Sequence, residues 1–152
     1  MKKTLLMMVC VFLMSLMVVS VNAATIGYLD VQKVFSTYEK TKKAQEQFQK
    51  KEQKLNEEIA DKQKQIEKEQ SKGTSDAKLR DMVGKFEKEI EPKRKEIIEA
   101  QQKITQEIQK DIVKATDTIA KNMGIEIVLD KQVFITGGTD ITEKVTELLN
   151  KK

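Results

Sequence analysis

The sequence contains no histidine and no tryptophan, and only one cysteine and one proline among its 152 residues. Each absence excludes something. Without histidine the usual general base near neutral pH and the commonest metal ligand are missing. Cys10 lies in an apolar N-terminal run, outside the charged body of the chain. The body therefore has no thiol for a disulfide, a nucleophile or a soft-metal site. Catalysis is not expected, and no catalytic residue, cofactor or metal ligand is assigned.

What is present begins with an export signal. Lys2 and Lys3 precede an almost wholly apolar stretch over 5–21, and Val21-Asn22-Ala23 offers small residues for cleavage before Ala24. Residues 1–23 are read as a secretory signal peptide, which places the protein in the periplasm after cleavage near Ala23/Ala24. A retained anchor is the competing reading, because the run lies at the short end of what spans a bilayer. Lys2 and Lys3 are two of only 28 basic residues set against 24 acidic ones. The remaining near balance gives no reason to expect nucleic-acid binding.

Between 37 and 121 charged residues and glutamine dominate, with apolar ones at helical spacing. Phe48, Leu55, Ile59 and Ile66 form one thin heptad seam, interrupted by polar Glu52 and Lys62. Leu79, Val83, Phe86, Ile90, Ile97 and Ile104 form a second, which departs from the strict heptad through Ile108, Ile112 and Ile119. The turn-forming residues at 71–75 separate the two, so the pattern predicts an antiparallel helical-hairpin arm with its tip there. Ser36 to Glu39 has capping-box spacing and predicts the start of the first long helix. Pro92 stands within the second, where a missing amide and a crowded carbonyl predict a kink or break near Glu91.

The flanks, 24–36 and 122–152, form a base. Ile26-Gly27-Tyr28-Leu29-Asp30 reads as a strand ending in a helix N-cap, with Val31, Val34 and Phe35 on one face of the helix that follows. Gly124 is a C-cap candidate. Residues 125–130 and Val133-Phe134-Ile135 read as two strands joined by a hairpin at Asp130-Lys131-Gln132. Asp140 to Glu143 opens a last helix with Ile141, Val145, Leu148 and Leu149 on its inner face. The fold class is thus α+β, mainly helical, with a small β base from both chain ends and a long arm. So few base residues make a small core for one chain. A base built by several copies, with Ile26, Tyr28, Leu29, Ile125, Ile127, Leu129 and Phe134 at its centre, is the economical solution.

These residues resemble the Skp/OmpH family of periplasmic chaperones over essentially the whole chain. Ile26-Gly27-Tyr28-Leu29-Asp30 through Phe35 looks like the family's opening strand and helix. Gly124-Ile125-Glu126-Ile127-Val128-Leu129-Asp130 looks like its apolar strand, Asp140-Ile141-Thr142 like the start of its last helix, and Lys72-Gly73-Thr74-Ser75-Asp76 lies where its arm turns. The resemblance implies a homotrimer with a β-barrel base and three helical tentacles. It also implies a cavity for unfolded outer-membrane proteins, with neither ATP nor chemistry.

Three features carry two readings each. Lys93-Arg94-Lys95 is a candidate contact for anionic lipid or lipopolysaccharide, or else a solvated helix surface flanked by Glu89, Glu91, Glu96 and Glu99. Asp30 and Asp130 either converge as an acid pair or serve as a cap and a turn. Gly137-Gly138-Thr139 lacks the lysine of a phosphate loop and reads as a turn. Most arm apolar residues hold the arm together, while spare ones such as Met82 could face a client. The competing function is a periplasmic spacer or scaffold, which would need a specific binding surface at the tip.

Overall fold

The structure, a computed structural model, describes residues 24–151. The expected signal peptide over 1–23 lies outside the described residues. Strand β1 (Ile26–Leu29) leads into helices α1 (Val31–Thr37), α2 (Glu39–Ser71) and α3 (Asp76–Met123). Strand β2 (Ile127–Asp130), a 3-10 turn (Lys131–Val133), strand β3 (Thr139–Asp140) and helix α4 (Thr142–Asn150) complete the chain. The fold is α+β and mainly helical, as the sequence predicts.

The sheet has the order β2-β1-β3, and both pairings are parallel. Ile26 stands beside Ile127 and Tyr28 beside Leu129; Gly27 stands beside Thr139 and Tyr28 beside Asp140. This corrects the hairpin expected at Asp130-Lys131-Gln132. The Asp130 carboxylate accepts the Gln132 amide at 3.0 Å and the chain winds into the 3-10 turn, so 133–135 does not return beside β2. It passes over β1 instead, where the Phe134 ring stacks on Tyr28 with centroids 5.0 Å apart. Gly138, at φ 69°, then brings the chain into β3.

Local caps set two of the helix boundaries. Asp30 accepts the Lys33 amide at 2.9 Å and begins α1, and Gly124 closes α3 in the left-handed region at φ 65°. The box expected at Ser36 to Glu39 does not form. Ser36 Oγ donates to the Lys33 carbonyl, and α1 stops at an extended Tyr38, ψ 122°. The Glu39 amide donates instead to Asn150 Oδ1 at 2.9 Å, while Asn150 Nδ2 donates to the Thr37 carbonyl at 3.3 Å. A side chain from the last helix thus satisfies the start of α2, displacing the local solution. At α4 the expected acid-first box does not form either: the cap position is Ile141, with no side-chain cap bond, and Asp140 just before it accepts the Thr142 amide at 2.9 Å in a short turn ahead of the helix.

The core joins both ends of the chain. Val34 of α1, Ile108 and Ile112 of α3, Leu29 of β1, and Ile141, Val145 and Leu149 bury together. Each such aliphatic side chain stabilises the fold by roughly 1.5–3 kcal/mol relative to exposure. Gly27 leaves room for this junction, because a Cβ there would lie 3.1 Å from the Ile125 side chain and 3.3 Å from the Thr139 carbonyl. Contacts between α2 and α3 run in opposite order along the two helices, from Lys40–Glu107 through Lys51–Glu96 to Lys62–Glu89. Helix α3 continues through Pro92, so the expected break is absent. Buried Ile90 just before it, and Lys93 paired with Glu58 just after it, hold the helix in place on both sides.

Two glycines make opposite predictions. Gly84 lies inside α3 with open space where a Cβ would go. Gly84→Ala should therefore raise stability by about 0.5–1 kcal/mol in chemical denaturation. Gly138 combines a positive φ with a Cβ position 2.7 Å from Phe134 Cζ and 3.1 Å from the Ile26 carbonyl. Gly138→Ala should cost roughly 1–3 kcal/mol in the same assay.

The Asp30 cap predicts a pH signature. The Lys33 amide, and then the Lys131 ammonium 3.2 Å away, hold the Asp30 carboxyl below its ordinary value of 3.8. A depressed folded value contributes stability above the ordinary value and loses it as pH falls through the folded one. Asp30→Ala should be less stable than the parent at pH 7. Denaturation curves at falling pH should show the two converging below 3.8.

Candidate functional site

The base presents two surfaces with different consequences. In parallel register, neighbouring residues point to the same side of the sheet. Gly27, Leu29 and Val128 therefore face the helices, and Ile26, Tyr28, Ile127 and Leu129 share the other face. Leu29 and Ile125 are buried in the chain's own core. Ile26, Ile127 and Leu129 remain 37%, 46% and 37% exposed, and the Phe134 ring stacks on Tyr28. Parallel sheets are ordinarily covered on both faces. Here helices cover one face and a single crossing loop partly covers the other.

Beside β2 lies a groove of about 900 Å³, walled by Phe35 of α1, Ile112, Val113 and Ala120 of α3, and Val128 and Leu129 of β2. Its rim carries Asp117, Lys121 and Glu126, so the apolar floor has a polar border. The sequence pattern did not reveal this groove. Val113 lies off the heptad seam, and its 67% exposure depends on where α1 and β2 end beside α3.

At the root of the arm, Tyr38 Oη donates to Asp111 Oδ2 at 3.2 Å, and Lys40 Nζ reaches the same oxygen at 2.9 Å and Glu107 at 3.3 Å. Burial and then the adjacent Asp111 charge push the Tyr38 phenol up, while hydrogen bonding to Asp111 raises Lys40. Tyr38 is also the extended residue between α1 and α2, so this cluster fixes the arm at the point where its helix begins. It was not found in the sequence because its members are about 70 residues apart and share no local spacing.

Along the arm, Phe48, Leu55, Ile59 and Ile66 are half-buried, as are Leu79, Phe86, Ile97 and Ile104, while Ile90 is buried. The seam assignment needs one correction: Val83 is exposed and Met82 is half-buried in its place. With Leu79, Met82 and Phe86 at spacings of 3 and 4, the seam passes through the thioether, while Val83 and Ile98, 37% and 52% exposed, face outward. In the basic run, Lys93 pairs with Glu58, and Lys95 pairs with Glu99 at 3.8 Å. Arg94 is exposed.

The carboxylates do not form an acid pair. Asp30 caps α1 and binds Lys131, while Asp130 accepts the Gln132 amide. Gly137 and Gly138, both at positive φ, form the turn into β3. Among the described residues no group of three or more metal-ligating side chains converges, and no helix is long and apolar enough to cross a membrane.

No curated protein is significantly similar to this chain. A protein family described as outer membrane protein (OmpH-like) matches residues 25–149, from the start of the base through both long helices to the end of α4. The chain belongs to the OmpH-like family.

Proposed function

We propose that this protein is an ATP-independent periplasmic holdase that retains unfolded outer-membrane proteins between helical arms and keeps them from aggregating in transit. Family membership implies chaperone-type function. The observation that carries the finer reading is the pairing of an uncovered apolar sheet face with a long, sparsely seamed helix pair. The first calls for other copies of the chain. The second supplies extended surface.

On this reading α2 and α3 form an antiparallel hairpin arm, supported by the reversed order of their ion pairs. The base, 24–36 with 122–152, assembles as a homotrimer around Ile26, Tyr28, Ile127, Leu129 and Phe134. Several arms then enclose one client, and many weak contacts hold what no single one would. Outward-facing Val83 and Ile98 offer such contacts. The tip favours this reading over a spacer: Lys72, Gly73 and Thr74 are small or polar, with no apolar surface for a fixed partner. The Lys93-Arg94-Lys95 run remains a secondary contact for anionic lipid or lipopolysaccharide, centred on Arg94.

The test is a light-scattering assay of an unfolded outer-membrane barrel protein diluted from denaturant. Added chaperone should suppress aggregation in proportion to its concentration and without nucleotide; unchanged scattering removes the proposal. Changing Lys93, Arg94 and Lys95 together to Gln should leave that suppression intact and reduce flotation with anionic vesicles. Equal flotation eliminates the lipid contact alone.

A further inference from the structure

Threonines within the helices of this chain share one habit. Thr37, Thr105, Thr116, Thr118 and Thr146 each donate their hydroxyl to the carbonyl four residues back. Thr41 does not. It is only 8% exposed, and among the described residues its Oγ1 is the one buried side-chain polar atom without a hydrogen-bond partner. The cause lies in the break between α1 and α2. The carbonyl four residues before Thr41 is that of Thr37, which belongs to α1, stands beyond the extended Tyr38 and accepts Asn150 Nδ2 at 3.3 Å. A buried hydroxyl left in this condition carries its full desolvation penalty.

Thr41 lines a pocket of about 370 Å³ at the root of the arm, where α1, α2 and α3 meet. Its walls combine the Phe35 and Phe48 rings and Ile108 with the side-chain amides of Gln45 and Gln101. Glu52 is the only charged residue in the wall, so an anion is repelled and a neutral guest with hydrogen-bonding capacity is favoured. The volume lies within the range of small-ligand sites. Threonine in a helix has two accessible χ1 settings, so the Thr41 hydroxyl can turn toward a guest in the pocket that the residue lines. A tyrosine side chain meets both demands. Its ring packs against Phe35 and Phe48, and its phenol both donates and accepts. Unfolded outer-membrane barrels offer such side chains repeatedly, because their strands carry aromatic girdles at both membrane interfaces.

We propose that the pocket at the arm root is a subsite for tyrosine side chains of an unfolded client, with the phenol hydrogen-bonded to Thr41 Oγ1 and the ring against Phe35 and Phe48. The proposal rests on the holdase reading above and adds a preferred residue type to it. The competing occupant is an ordered water, which would satisfy the hydroxyl without selecting any client.

The experiment titrates the full chain by calorimetry with two flexible peptides rich in glycine, serine and asparagine, one carrying several tyrosines and the other phenylalanines at the same places. The parent should bind the tyrosine peptide about tenfold more tightly. Thr41→Val should raise the thermal midpoint of the free protein, because an unpaired buried hydroxyl is gone, and should bring the two peptides to equal affinity. Position 45 is exposed and lies one turn beyond Thr41 on the same helix face. Gln45→Trp should therefore keep the parent's circular dichroism and lose binding of both peptides. The subsite is overturned if the parent shows no tyrosine preference or if the preference survives Thr41→Val. It is also overturned if Thr41→Val melts below the parent with binding unchanged, the mark of a satisfying water. A parent that does not suppress aggregation of an unfolded barrel protein removes the holdase reading and the client assignment with it; suppression without a tyrosine preference removes the subsite alone.

Discussion

Parallel pairing between β1 and β2 is the constraint from which the rest of the architecture follows. Two parallel strands cannot be joined by a tight turn; the chain must travel back past its own starting point before the second strand begins. In most small domains a single helix makes that return. Here α1, α2 and α3 make it together, so the long helix pair is the crossover connection of a three-stranded sheet, drawn out far beyond what closure requires. The register Ile26–Ile127 to Leu29–Asp130 sets where both long helices are rooted, and Gly27 permits the close approach of Ile125 on which that register depends.

The two parts of the molecule are stabilised differently. The base buries a compact set of aliphatic side chains and ties its ends with Asn150 on Glu39 and Thr142 Oγ1 accepting the Asp30 amide at 3.0 Å. Beyond its root, the helix pair has mostly half-buried apolar contacts and solvent-exposed ion pairs. Exposed pairs contribute little individually and are screened by salt. Stability therefore declines from the base outward.

Local chemistry was legible in the sequence. Asp30 as an N-cap, Gly124 as a C-cap, the turn around Gly73 and the apolar face of α4 all follow from residues within a few positions of one another. What was not legible depended on residues far apart. Asn150 replaced the expected Ser36 box because a distant amide side chain reached both Thr37 and Glu39. The 133–135 run has strand composition, but composition does not specify a partner, and the Asp130 turn directed the chain over β1. Val83 and Met82 exchanged roles because two adjacent apolar residues satisfy the seam pattern equally well until the opposing helix selects one. Pro92 shows the converse: a strong local signal for a break was overridden by packing and an ion pair on either side of it.

The separation between the paired strands also dictates an order of events. Bringing Ile26 to Ile127 closes a loop on the order of 100 residues, which in a flexible chain carries a large entropic cost before any pairing is gained. Helices whose contacts are local and progressive along the chain can form first, zipping from the turn at Gly73 toward the base and shortening the remaining gap with each step. During synthesis β1 emerges early and has no partner until β2 and β3 follow at the other end of the chain. The long helix pair thus delivers the two halves of the base to each other.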